Sequence, residues 1–148
     1  MNVTDRLDAW VRALKSLPAQ LTATVSEVAQ ANNYVLEDAN AAQLEAGLDA
    51  DGRQITPEYA ELTVDIKTAK GQPTDRVTLR DSGAFYAGIV AQVRGQELEM
   101  DGTDSKTGEL QQKYGDDIIG LSEQAIDEFR EDYVRPELEA KTREILGL

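Results

Sequence analysis

The sequence predicts an α+β domain: a small, mostly antiparallel sheet with a long N-terminal helix and a C-terminal helix packed on it. Three observations predict it. Apolar residues recur at three- and four-residue spacing over residues 4–46, and again after Ser122. Between them, from Ile89 to Met100, the period changes to two across a Gly95-Gln96 turn. No internal repeat, low-complexity tract or linker divides the 148 residues, a length usual for one domain. We therefore expect a single domain, 1–148, with an N-terminal helical segment at 1–46, a sheet-containing body at 47–121 and a C-terminal helix at 122–148.

In the first segment Leu7, Trp10, Val11, Leu14, Leu17, Leu21, Val25, Val28, Asn32, Val35 and Ala39 fall on one predicted helical face. Thr4 or Asp5 is the expected cap. Pro18 removes a backbone donor, so a kink or division near Leu17 is expected. The piece from Pro18 to about Asn40 would be roughly 35 Å long. So long a helix with a thin, alanine-rich stripe points to a partner subunit, the alternative being that it lies across its own sheet.

GLDADGRQ, Gly47 to Gln54, is a polar loop in which Asp-Gly is ordinary turn chemistry. Thr56-Pro57-Glu58 has the form of a helix start; Tyr59, Leu62 and Ile66 would face inward and Gly71 would end the helix. ELTVDIK also alternates as a strand would, but the start signal favours helix. Val77 to Leu79 is short and β-branched, RDSG makes a turn, and AFYAGI fits a single helical turn. Ile89, Ala91 and Val93, then Leu98 and Met100, give a hairpin with one buried face, closed by Asp101-Gly102. Thr107 to Tyr114 reads as a short helix ended by Gly115. Ser122 caps the last segment, whose apolar side is Ala125, Ile126, Phe129, Tyr133, Leu138 and Ile145. Pro136 interrupts that segment.

Composition excludes several chemistries. With no cysteine and no histidine, disulfides, thiolate nucleophiles, imidazole bases and the usual zinc ligands are ruled out. The net charge is −13 and the bases are scattered, so the surface repels free DNA. No stretch approaches the roughly 18 apolar residues of a membrane span, and the first ten residues hold no signal-like apolar run. The expectation is a soluble protein made in the cytoplasm.

The candidate chemistry is carboxylate chemistry. Asp49, Asp51 and Glu58 occupy three positions of a calcium-loop pattern, but Gly47 stands where its first carboxylate is needed. Asp101, Asp104, Asp116 and Asp117 would need to converge in a pocket to act as a catalytic pair, and nothing in their spacing forces that. Lys67 and Lys70 could touch phosphate, a weak signal beside Asp65 and Asp75. Ser82-Gly83 has no base to activate it. Tyr59, Phe85, Tyr86 and Tyr114 are dispersed, as core residues are. We expect no catalytic residue, no cofactor and no bound metal.

Three stretches carry a family resemblance: GLDADGRQITPEYAELTVDIKTAKG, VTLRDSGAFYAGI and QKYGDDIIGLSEQAIDEF. In order and spacing they resemble the tail-completion (virion-morphogenesis) family of tailed bacteriophages, small proteins of the head–tail joint. The resemblance spans about Gly47 to Phe129. It implies a non-enzymatic virion structural protein, a homo-oligomeric ring of the neck joining portal or adaptor to tail terminator or tail tube. Packaged DNA would pass its lumen without specific binding, and acids lining that lumen would let DNA slide. In this reading Asp81 accepts from a tight turn, Gly83 takes a conformation closed to other residues, and Ile118, Ile119 and Leu121 plug the sheet and anchor the last helix. The alternatives are an acidic divalent-cation module using Asp49, Asp51 and Glu58, and a DNA-mimic or adaptor that binds a protein partner.

Overall fold

The computed structural model describes residues 2–148. It is an α+β fold, with one two-stranded antiparallel sheet among the described residues and helices along most of the chain. Helix α1 runs Val3–Ala31 and α2 Asn33–Glu45. After a loop come α3, Glu61–Ala69, and the single turn α4, Ala84–Ala87. Strands β1, Ile89–Arg94, and β2, Glu97–Gly102, pair from Ile89 opposite Gly102 to Arg94 opposite Glu97. Helix α5 is Thr107–Tyr114 and α6 is Glu123–Phe129. A wider turn at Arg130–Val134 leads into α7, Arg135–Leu146.

The first helix departs from expectation at both ends. Asn2, rather than Thr4 or Asp5, is the cap: its Oδ1 accepts from Asp5 N at 2.8 Å, and Asp5 Oδ2 accepts from Asn2 N at 3.3 Å. Asp5 is thus the third helical residue of a reciprocal capping box. Pro18 does not divide the helix, which continues to Ala31. The carbonyl that Pro18 leaves without a helical partner belongs to Leu14, which is exposed, so water can satisfy it. The division falls at Asn32 instead, where φ is −119°. There the Asn32 side-chain nitrogen and its own N–H both donate to Val28 O, at 2.9 and 3.0 Å. Such side-chain competition for backbone partners makes paired asparagines poor helix interiors.

The predicted start at Thr56-Pro57-Glu58 is also overturned. Residues 56–60 lie outside the helix, with a cis Thr56–Pro57 peptide, and α3 starts at Glu61. Tyr59 explains the delay. Its ring packs against the core and its hydroxyl accepts from Thr78 N and Leu79 N, each at 3.0 Å. Burying that tyrosine overrides the local signal. It also turns α3 around: Leu62 and Ile66 face outward, and Lys67 is the buried residue. Its Nζ donates to Arg80 O at 2.6 Å and lies 4.9 Å from the centre of the Tyr59 ring, so the charge is buried with partners.

Other elements fall where local chemistry predicts: the hairpin, although Leu98 near its turn is exposed, α5 with its Gly115 stop, α4, and the Ser122 cap, whose Oγ accepts from Ala125 N at 3.1 Å. Pro136 does interrupt the closing segment. Just before it Arg135 N–H donates to Arg130 O, five residues back, a widening that accommodates a proline ring. The core is Leu44, Ile55, Val77, Leu79, Phe85, Ile89 and Ile118. Helix α2 covers β1, and α7 packs chiefly along α1. Arg76 Nε donates to Glu45 O at 2.6 Å, capping α2 and tying it to the Val77–Leu79 segment. Gly47 permits the approach: its φ is +75°, and a side-chain carbon there would sit 2.9 Å from Arg76 Cβ.

Candidate functional site

Three places have the chemistry to act: an acidic cluster, a pocket beside the Arg80–Gly83 turn, and the uncovered apolar faces of α1 and α3.

The acidic cluster joins two distant parts of the chain. The ligand oxygens of Asp49, Asp51 and Asp117 lie within 4.8 Å of one another. Glu58 is not among them, and neither are Asp101, Asp104 or Asp116; the turn chemistry expected of Asp-Gly prevails over the calcium-loop spacing. The Gly47–Gln54 loop is a turn: Asp49 Oδ1 accepts from Asp51 N and Arg53 N, both at 2.9 Å, and Leu48 bridges to Gln54. Ala50 N donates to Asp117 O at 2.8 Å, and this backbone bond is what brings the acids together. Three carboxylates, one oxygen already engaged, fall short of the six to eight oxygens that calcium takes.

A hydrogen bond with Asp51, and then that neighbour's charge, hold the Asp117 carboxyl above the usual carboxylate range. A raised carboxyl pKa means that the folded state holds its proton more tightly than the unfolded chain, so this site loses stability as pH rises through that value. Asp117→Asn is therefore expected to raise the melting temperature at neutral pH. The gain should shrink in high salt and vanish at acid pH, as thermal melts across pH and ionic strength would show.

The pocket beside the turn, about 160 Å³, is lined by Tyr59, Lys67, Ser82, Phe85, Lys106 and Tyr114 among others. Several of its polar groups are already engaged. Lys67 holds Arg80 O, Lys70 Nζ pairs with Asp81 Oδ1 at 2.6 Å, and Ser82 Oγ accepts from Ala84 N. The two lysines thus serve the turn rather than a phosphate. The Asp81 carboxylate pairs with Lys70 instead of accepting from the turn backbone, while its carbonyl accepts from Gln72 Nε2 at 2.9 Å. Gly83 sits at φ +92° as expected. The aromatics Tyr59, Phe85, Tyr86 and Tyr114 all belong to the core or pack against it.

The stretch IIGLS is a lock, held by a clamp that sequence reasoning missed. Asn40, fully buried on α2, donates through Nδ2 to Ile118 O at 3.1 Å and accepts from Gly120 N at 2.9 Å. One turn on, Gln43 donates to Gly120 O at 2.9 Å and accepts from Ser122 N at 2.7 Å. Two amide side chains thus imitate a neighbouring strand, pairing the backbone that leads into α6. The available signal was Asn40 between Leu36 and Leu44, a polar residue in an apolar row spaced by four.

The apolar faces of α1 and α3 are a further unclaimed feature. On α1 the less exposed positions, Ala13, Leu17, Gln20, Thr24 and Val28, form the side toward α7. The predicted face is split. Leu7, Trp10 and Leu14 are 60%, 52% and 50% exposed, with Val3 and Val11 beside them, roughly a quarter turn from the covered side. On α3 Leu62 is 71% and Ile66 48% exposed. No helix among the described residues is long and apolar enough to cross a membrane. No protein-family model matches this chain, and no curated protein or solved structure does either.

Proposed function

We propose that this chain is a non-enzymatic structural component of a tailed-phage virion, a ring subunit at the head–tail joint. The observation that carries the reading is the stripe Val3, Leu7, Trp10, Val11 and Leu14, an apolar helical surface uncovered by its own chain. Contiguous exposed apolar surface marks a site of protein contact. The rest of the molecule supports the same reading. Lys67, Lys70 and the Asp49 carboxylate are engaged within turns, and its IIGLS stretch fixes the closing helix. The resemblance of three ordered motifs to tail-completion proteins supports this choice of assembly. The acidic surface suits a channel wall past which DNA slides.

The test is genetic. Removing the gene from the phage that encodes it is expected to leave DNA-filled heads and separate tails, with joining restored when the protein is supplied. Infectious, fully joined particles made without the protein would overturn the proposal.

A further inference from the structure

The exposed α1 stripe and the exposed α3 face are complementary surfaces of the same chain. The arm, residues 2–20, carries Arg6, Arg12 and Lys15 against Asp5 and Asp8, a net charge of +1. Since the whole chain is at −13, the remainder carries −14. Arg6 and Lys15 border the stripe on its two sides. On α3, Leu62, Ile66 and Ala69 recur at four- and three-residue spacing and are all exposed. Glu61 and Asp65 border them along one edge, with Glu58 exposed just before the helix. The arm is thus apolar with a margin that is basic on balance, Asp8 lying on the Lys15 side, and α3 is apolar with an acidic edge, the lysine on its other edge, Lys70, being held by Asp81.

We infer that the α1 arm of one copy docks on α3 of the next, Leu7 and Trp10 meeting Leu62 and Ile66 while Arg6 or Lys15 faces Glu61 and Asp65. The occupant of the α3 face is a second copy of this chain. The contact joins two different patches, so it is heterologous: each copy gives one arm and receives one, and the series closes into a ring when the rotation allows. A contact of two to three helical turns is smaller than the roughly 1,200–2,000 Å² of stable pairwise interfaces. A single contact is therefore weak and is reinforced when closure engages every copy twice. This deepens the ring reading and rests on it for the closed geometry.

Because the chain has no cysteine, single thiols report the contact directly. Leu7→Cys and Ile66→Cys are prepared separately, mixed in equal amounts at high concentration and treated with a short bismaleimide. Both positions are exposed, and unchanged melting curves confirm the fold. The mixed product is expected to exceed either self-linked product by about tenfold, well beyond random encounter. High salt, or Asp65→Lys with Glu61→Lys, should cut that excess severalfold. Self-linking of the Leu7→Cys variant that equals or exceeds the mixed product would overturn the inference in favour of arm-to-arm pairing. A mixed yield no better than random would overturn it outright. The purified chain decides this contact; whether the protein sits at the virion joint is decided by particles, so the two failures are distinct.

Discussion

Replacing Asn40 with alanine is expected to lower the stability of the fold by about 3 kcal/mol, because it orphans the Ile118 carbonyl and the Gly120 N–H, each worth roughly 1–3 kcal/mol when left unpaired and buried. In a chain of 148 residues that is a fall in melting temperature of about 6–12 °C. The conservative Asn40→Asp variant separates hydrogen bonding from size. A carboxylate can still accept from Gly120 N, but it sets an anion against the Ile118 carbonyl in a buried site. Burial raises the pKa of such a carboxyl, so its proton restores the missing donor as pH falls. The deficit of Asn40→Asp relative to wild type should therefore be largest at neutral pH and narrow toward pH 5. Denaturant titrations at several pH values measure this; a deficit independent of pH would place the Asn40 contribution in packing alone.

Ile118→Ala is expected to cost about 3–4 kcal/mol. Ile118 is fully buried and belongs to the cluster that joins Leu44 of α2, Ile55, Val77 and Ile89 of β1. Truncation removes its transfer free energy and leaves a cavity that neighbours anchored on a helix and a strand cannot collapse to fill. Ile118→Val should cost only about 1 kcal/mol. Both sites act on one segment, so the Asn40→Ala and Ile118→Ala losses are expected to be non-additive in a double-mutant cycle. Perturbing this segment should also loosen α6 and α7, seen as faster amide exchange beyond Ser122.

How much of this was legible depends on the range of the forces involved. The hairpin, α5, α4 and the Ser122 cap were readable because a period, a glycine or a hydroxyl decides each within a few residues. Pro18 and Thr56-Pro57 misled for the opposite reason. The cost of Pro18 is borne by one exposed carbonyl, and the start signal near Pro57 yields to the burial of Tyr59, whose partners lie 19 and 20 residues on. The split of the α1 face was also hidden, since apolar spacing cannot say which half of a wide stripe the chain itself covers. The clamp spans 77 to 80 residues, beyond any local pattern, although Asn40 was marked by its place between two leucines. The acidic cluster needed the Ala50–Asp117 backbone bond to exist at all. The loop spacing that would join Glu58 to Asp49 and Asp51 is local coincidence, and folding sets those two beside Asp117 instead.

A ring subunit of the head–tail joint must be found there in an assembled particle. If the proposed role holds, electron cryomicroscopy of tailed virions assembled with the protein, tagged after Leu148, is the most direct measurement. The expected result is a closed ring of tagged density at the head–tail joint, with α1 of each subunit reaching onto its neighbour and the DNA channel lined mainly by acidic side chains. Complete virions with no copy of the protein at the joint would contradict it.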